Sequence, residues 1–155
     1  MNKADPKHGL LVSPIRNGTV IDHIRQGEAL NVLKILGITG STQMCLSIAT
    51  NVSSGRVGKK DIVKIENREL AKNEVDRIAL IAPRATINII RDYQVVEKKG
   101  VEIPSLLIGV VRCTNPGCIS NTNEPIESKF EVLPEGLHCL YCDNLIRKDL
   151  ASHII

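Results

Sequence analysis

The chain has 155 residues, with 20 Lys and Arg against 17 Asp and Glu for a formal net charge of +3, a length that fits one domain or two small ones. Its first stretch, Met1 to Leu10, carries Lys3, Asp5, Pro6, Lys7 and His8 without an apolar run behind a basic end, so it reads as neither signal nor anchor. No later apolar run approaches a membrane span, and a cytoplasmic protein without membrane partners is expected.

Residues 11 to 24 read as extended structure broken at Pro14 and at the turn pair Asn17-Gly18, with Thr19, Val20 and Ile21 as a β-branched strand. From Gly27 the period changes. Ala29, Val32, Leu33 and Leu36 fall on one helical face, and Gly37 follows as a C-cap. Met44, Leu46 and Ile48 alternate with polar neighbours as the next strand, Ser53 to Gly58 reads as a flexible connection, and a further strand spans Lys60 to Glu66. Helical spacing returns at Lys72 to Ile81 through Val75, Ile78, Ala79 and Leu80, and Pro83 stops it. Ala85 to Ile90 is β-rich, Arg91-Asp92-Tyr93 turns, and Gln94 to Glu97 is the last strand before Lys98-Lys99-Gly100. Strand, helix, strand, strand, helix, strand, with one strand added, is the split βαβ order of a ferredoxin-like antiparallel sheet with both helices on one face.

Pro104 marks a boundary, dividing the chain into residues 1–104 and 105–155. Beyond it Leu106 to Val111, Lys129 to Leu133, Leu137 to Leu140 and Leu145 to Leu150 are short strand candidates around two close cysteine pairs, Cys113 with Cys118 and Cys139 with Cys142. Asn115, Pro116 and Gly117 form a turn that lets two thiolates face one centre. Four thiolates without a vacancy are the donor set of a structural zinc site; two disulfides or four unrelated buried thiols are the competing readings. An α+β chain results, its second unit a small all-β zinc-ribbon-like domain. About fifty residues are near the size at which an apolar core alone is marginal, which makes a metal the natural support.

Charge divides unevenly. Residues 105–155 hold four basic side chains (Arg112, Lys129, Arg147, Lys148) and six acidic ones, a net of −2, which leaves +5 for residues 1–104. A ribbon that grips nucleic acid should be the basic half. The free-standing nucleic-acid-binding zinc ribbon is therefore the weaker alternative, and anion binding falls to the N-terminal part. There, Lys59, Lys60 and Lys64 share one strand, and Lys98 and Lys99 end another. Exposed lysines at strand ends are ordinarily solvated edges, but Lys60, Ile62 and Lys64 alternate and so share one face, as a phosphate-binding surface requires. Asp22-His23 alone reads as a capping acid and a surface histidine, and Cys45 as a small buried thiol outside the metal set. The Gly-rich phosphate loop, the dinucleotide fingerprint, Gly-x-Ser-x-Gly and His-Glu-x-x-His are all missing, so no residue is nominated as catalytic.

Four stretches, Gly18-Thr19-Val20-Ile21-Asp22-His23-Ile24, Gly58 to Asn67, Ala82-Pro83-Arg84-Ala85-Thr86-Ile87-Asn88 and Cys113-Thr114-Asn115-Pro116-Gly117-Cys118-Ile119, closely resemble the regulatory chain of aspartate carbamoyltransferase, in that family's order and across nearly the whole chain. The resemblance implies a non-catalytic subunit acting in pyrimidine biosynthesis. Its N-terminal domain would bind CTP, UTP and ATP as effectors, and its zinc domain, through Cys113, Cys118, Cys139 and Cys142, would dock on the catalytic chain. It further implies regulatory homodimers formed through the N-terminal domains that bridge catalytic trimers, six chains of each kind, with no nucleic acid bound. By the same resemblance Lys98 and His23 meet the phosphates. Asp22, Lys64 and Asn88 surround the ribose or inner phosphates, and Lys60 reaches the phosphate end or a second nucleotide. Val12, Ile15, Val20, Ile62, Ile90, Tyr93 and Val95 line the base pocket, with backbone groups of Ile15 and Tyr93 reading the base edge. Ser13 and Pro14 depart from the family pattern, where a bacterial member has an acidic and a small residue, and Pro14 removes a backbone donor beside the base.

Overall fold

The computed structural model describes residues 14–38, 43–55 and 58–155. Val12, Ser13 and the stretch from Met1 to Leu10 lie outside the described residues, as do Arg56 and Val57. The N-terminal part forms one antiparallel sheet in the order β2-β3-β1-β4-β5, from β1 (Gly18–Arg25), β2 (Leu46–Ser54), β3 (Gly58–Glu66), β4 (Thr86–Arg91) and β5 (Gln94–Gly100). Two helices, α1 (Ala29–Ile35) and α2 (Lys72–Ile81), complete it. This is the expected split βαβ order, with β5 added beside β4.

Alternation assigns the faces. Ile21, Val63, Ile65, Ile87 and Ile89 are buried in one cluster with Ala29, Val32 and Leu33 of α1 and Val75 and Ile78 of α2, so the β-branched positions of the three central strands meet both helices. α1 ends as its sequence suggests: Gly37 takes φ 72, its N–H donates to the Lys34 carbonyl and the Ile38 N–H to that of Leu33, each at 3.0 Å, closing a Schellman cap. Asp92 and Tyr93 both adopt left-handed conformations between the paired Arg91 and Gln94, a turn whose twist suits a β-hairpin.

The sheet holds three irregularities that sequence alone did not reveal, one of them a slip between Ile89 and Ile90 where β4 pairs with β5. Pairing slips between Ile21 and Ile24 in β1, where His23 has φ 55, and between Ala49 and Val52 in β2, where Asn51 has φ 56. Asp61 of β3, fully buried, supports the slip in β2 and the start of α1. Its Oδ2 accepts the N–H groups of Gly27 and Ala29 at 3.0 Å, and its Oδ1 accepts that of Asn51 at 2.9 Å. One carboxylate thus caps α1 from across the sheet and holds the β2 bulge.

The C-terminal part is a four-stranded sheet, β6-β7-β8-β9, of β6 (Leu106–Ile108), β7 (Lys129–Leu133), β8 (Gly136–Cys139) and β9 (Leu145–Ile146). Phe130 and Leu107 centre its core, into which Leu80 reaches from α2. The two parts meet where a 3-10 turn at Leu150–His153 approaches α2, and the Arg77 guanidinium donates to the Ile155 carbonyl at 3.0 Å. β6 is shorter than the expected Leu106 to Val111, because Gly109 turns left-handed at φ 67 and ends it. Among the described residues no helix is long and apolar enough to cross a membrane.

β9 likewise stops at Ile146 rather than running to Leu150, and in the first sheet two expectations change. β2 continues through Ser54, so the segment read as a connection from Ser53 is shorter, the bulge having shifted the pairing that follows it. Cys45, expected to be buried, is exposed. It precedes β2, a strand at the edge of the sheet, and even Ile48 of that strand, opposite the buried Val63, is 38% exposed. A hydrogen bond with the Glu66 side chain raises the pKa of the Cys45 thiol.

Candidate functional sites

The four-thiol centre is built by two tight loops. In the first, the Cys118 N–H donates to the Asn115 carbonyl at 3.0 Å, and the Asn115 side chain accepts the Gly117 N–H at 3.0 Å. Asn121 clamps this loop from behind, its side-chain amide donating to the carbonyls of Cys113 and Asn115 at 2.8 and 2.7 Å. In the second, the Asp143 N–H reaches the Cys139 carbonyl at 3.0 Å and the Cys139 N–H reaches that of Asn144 at 2.8 Å. Asp143, left-handed at φ 63, lets the chain return.

These loops bring the Sγ atoms of Cys113, Cys118, Cys139 and Cys142 within 4.8 Å of one another. Cys113 to Cys142 is 3.6 Å and Cys118 to Cys139 is 3.7 Å. A tetrahedron with metal–sulfur distances of about 2.3 Å has an edge of about 3.8 Å, so the donors fit one ion. Disulfides need sulfurs at about 2.05 Å, and all four cysteines are free thiols, which removes the disulfide reading.

Burial, with smaller contributions from the neighbouring thiols, pushes the Cys113 pKa up to about 12, and burial raises that of Cys139. Burial acts in the same direction on Cys142, but hydrogen bonds from the Asn115 side chain and the Asn144 backbone, with the neighbouring thiols, bring it down to about 7. Buried thiols of this kind become thiolates when a cation replaces their protons. The shell around them is polar and formed: Ser120 Oγ is 3.2 Å from Cys118 Sγ, and the Asn144 amide donates to Cys113 Sγ at 3.7 Å. His138, next to Cys139, spans Asp143 at 2.8 Å and Glu131 at 3.4 Å.

The second site lies on the sheet face away from the helices. A cavity of about 440 Å³ is lined by Val20 and Asp22 of β1, Lys60, Ile62 and Lys64 of β3, and Asn88, Ile90 and Val95 of β4 and β5, together with Val52 and Ser53. Eight residues singled out from the sequence therefore converge. Register explains why: Val20 pairs with Lys64 on one side and Asn88 on the other, and Ile90 pairs with Val95, which puts them on one surface. Lys60 Nζ is 2.9 Å from Asp22 Oδ1, and the Asn88 amide donates to the Val20 carbonyl at 3.3 Å. Burial lowers the Lys64 pKa, with Asp22 opposing.

Ile15, His23, Tyr93 and Lys98 are not among the residues lining this cavity. Lys98 stands opposite Asn88 on the exposed β5, and Tyr93 is exposed at the hairpin turn, its N–H donating to the Arg16 carbonyl at 2.9 Å. Ile15 is buried. His23 turns at the β1 bulge into a neighbouring groove, its Nδ1 3.1 Å from Thr86 Oγ1. Sequence reading missed Val52 and Ser53, since only the β2 bulge sets Val52 opposite Lys60. It also passed over Asp61; a carboxylate at the one position between Lys60 and Ile62 that must face the core was the signal available.

Two family models match the chain: the allosteric domain of the aspartate carbamoyltransferase regulatory chain over residues 10–102, and the metal-binding domain of the same chain over residues 106–152. Curated proteins named aspartate carbamoyltransferase regulatory chain are similar along the full length. One from Methanoculleus marisnigri is 75% identical over 155 residues, covering 100% of both chains. One from Methanosphaerula palustris is 67% identical over 147 residues, 95% of each, and one from Haloarcula marismortui is 57% identical over 152 residues, 98% of each. An allosteric sheet domain, a metal-binding domain with four converging thiols and this similarity from end to end agree, and the chain belongs to the family of aspartate carbamoyltransferase regulatory chains, non-catalytic subunits of that enzyme.

Proposed function

We propose that residues 1–104 bind nucleoside triphosphates, CTP and UTP as inhibitors and ATP as activator, and that residues 105–155 hold one zinc ion and dock on the catalytic chain. The observation that carries this reading is the sheet-face cavity, in which Lys60, Lys64, Asp22 and Asn88 stand beside the apolar Val20, Ile62, Ile90 and Val95. An apolar floor with a few convergent polar groups is the make-up of a small-molecule site. The aliphatic side chains would contact the base and the ammonium groups the phosphates, with Lys98 and His23 meeting the far end of the polyphosphate. A phosphate beside Lys64 offsets the desolvation that lowers its pKa. Asp22 and Asn88 suit the ribose hydroxyls, as acceptor and as donor and acceptor. Because the Tyr93 N–H is engaged with Arg16, Tyr93 would read the base through its carbonyl.

Zinc, once bound, supplies a closed tetrahedral crosslink between the two loops and no catalytic position. Asn121 and Asn144 hold those loops in the receiving geometry, and the acidic, metal-held unit is left to meet protein rather than nucleic acid. Homodimers through the N-terminal unit would bridge catalytic trimers in a complex of six and six. The effector works by binding the quaternary states unequally, a coupling of about 1 to 3 kcal/mol. The test is aspartate saturation of the reconstituted complex with and without each nucleotide. CTP should shift the half-saturating aspartate concentration upward and ATP downward, and an unmoved curve in a complete complex defeats the reading.

A further inference from the structure

The sheet-face cavity opens away from the helices, whereas the C-terminal unit meets the rest of the chain through α2. A molecule bound in the cavity must therefore act across the sheet to reach that unit. Strand alternation supplies a crossing point. Lys60 and Ile62 line the cavity, and Asp61 between them points to the opposite face, where it is fully buried and accepts three backbone N–H groups.

Those donors belong to two separate segments. Oδ1 accepts the N–H of Asn51 at 2.9 Å. Asn51 is left-handed at φ 56 and lies where β2 slips its pairing with β3, and the next two residues, Val52 and Ser53, form one wall of the cavity. β2 is an edge strand with β3 as its one neighbour in the sheet, so the bond at the bulge helps decide where that wall stands. Oδ2 accepts the N–H groups of Gly27 and Ala29, each at 3.0 Å, where α1 begins. On its inner side α1 is buried through Ala29 and Val32. On its outer side Glu28, Asn31 and Lys34 line a cleft of about 630 Å³, completed by Leu80 and Ile81 of α2 and by Asp149 to Ser152 of the C-terminal unit. One carboxylate thus joins the wall of the cavity to the helix that borders the second unit.

We propose that Asp61 is a positioning residue of the effector response: it ties the β2 wall to α1, so that a nucleotide set against Val52 and Ser53 is felt at Gly27 and Ala29 and from there at the cleft. This rests on the nucleotide reading of the sheet face. A ligand moves such a link by its unequal affinity for two positions of the wall, and the shared carboxylate couples each of them to a position of α1.

Asp61→Asn parts the two sides. Its amide has one oxygen for three donors; with that oxygen on the pair at Gly27 and Ala29, the NH2 faces the Asn51 N–H, and the wall alone loses its acceptor. Calorimetry of the zinc-loaded variant should show CTP affinity lower by about tenfold, as for one lost hydrogen bond to a charged group. The discriminating readout is the complex with catalytic chains at saturating CTP, where the parent's fold-shift in half-saturating aspartate should fall toward unity. A purely structural role predicts the full parental shift once CTP saturates, and that result overturns the proposal. Hydrogen exchange on the parent tests the link without a substitution. Saturating CTP should slow the amides of Asn51, Gly27 and Ala29 together, by about tenfold. Slowing at Asn51 with Gly27 and Ala29 at their unliganded rates overturns the proposal even where the variant fails to fold. Should CTP fail to bind the parent, the nucleotide reading falls and this inference with it, whereas binding without a response at Gly27 and Ala29 defeats the inference alone.

Discussion

The two halves of this chain reach stability by different routes. The N-terminal sheet buries a broad aliphatic layer between its strands and two helices, and such a layer scales with the area removed from water, at roughly 25 cal/mol per Å². The C-terminal sheet has ten residues in its buried cluster, of which three are cysteines and one, Leu80, is lent by α2. So few aliphatic side chains cannot offset the ordering of about fifty residues, at about 1 to 2 kcal/mol each for the backbone alone. One half is thus specified by pattern and the other by chemistry. The first can hold a ligand cavity on its free face because its core lies wholly on the other.

Removing the metal should break that comparison most sharply. Chelation, or Cys142→Ser, takes away on the order of 10 kcal/mol from residues 105–155. Hydrogen exchange should then show the protection of β6 to β9 lost, while β1, β3 and β4 remain protected and CTP still binds. Association with the catalytic chain should disappear at the same time. A result in which chelation abolishes CTP binding and spares association would reverse the assignment of roles to the two halves.

Within the sheet half, Asp61→Ala should have the largest effect. It leaves the N–H groups of Gly27, Ala29 and Asn51 without their acceptor at a fully buried position, a loss of about 4 kcal/mol. A urea titration should register this as a lowered midpoint of the N-terminal transition. Zinc affinity should not follow, and a parallel fall in it would mean the halves are one cooperative unit.

Legibility in the sequence followed the same division. Period-two and period-3.6 patterns placed β1, α1, β3, α2 and β4, because in those elements burial is decided by position along the strand or helix. Alternation of Lys60, Ile62 and Lys64 put the cavity on the correct face, and the cysteine spacing located the thiol cluster. What stayed hidden was what depends on distant segments. The bulges at His23 and Asn51 come from left-handed residues that carry no glycine signature, and Val52 and Ser53 reach the cavity only through the second of them. The exposure of Cys45 follows from β2 being an edge, a property of strand order rather than of local composition.

Gly18 tests that dependence at one atom. It takes φ 141, and a Cβ there would stand 2.1 Å from the Ile65 carbonyl oxygen. Gly18→Ala should therefore cost about 2 kcal/mol, through strain where β1 begins between β3 and β4. Thermal unfolding of the zinc-loaded chain should show the N-terminal transition moved down. A midpoint equal to the parent's would mean that the strand entry relaxes freely.

Asn121→Ala should produce the smallest change, and it tells most about where the second half keeps its order. The side chain lies outside the thiol cluster, yet its amide holds the carbonyls of Cys113 and Asn115 and so fixes the angle at which the first loop presents its two sulfurs. Without it the loop must be ordered by the ion itself, and outer-shell losses of this kind weaken metal binding by about tenfold or more. Competition with a chromophoric chelator should show that drop, while the urea midpoint of the N-terminal transition holds. If instead zinc affinity is unchanged, the loop is ordered by Asn115, Gly117 and the chain's own turn, and preorganisation in this half is a property of the backbone rather than of the clamp behind it.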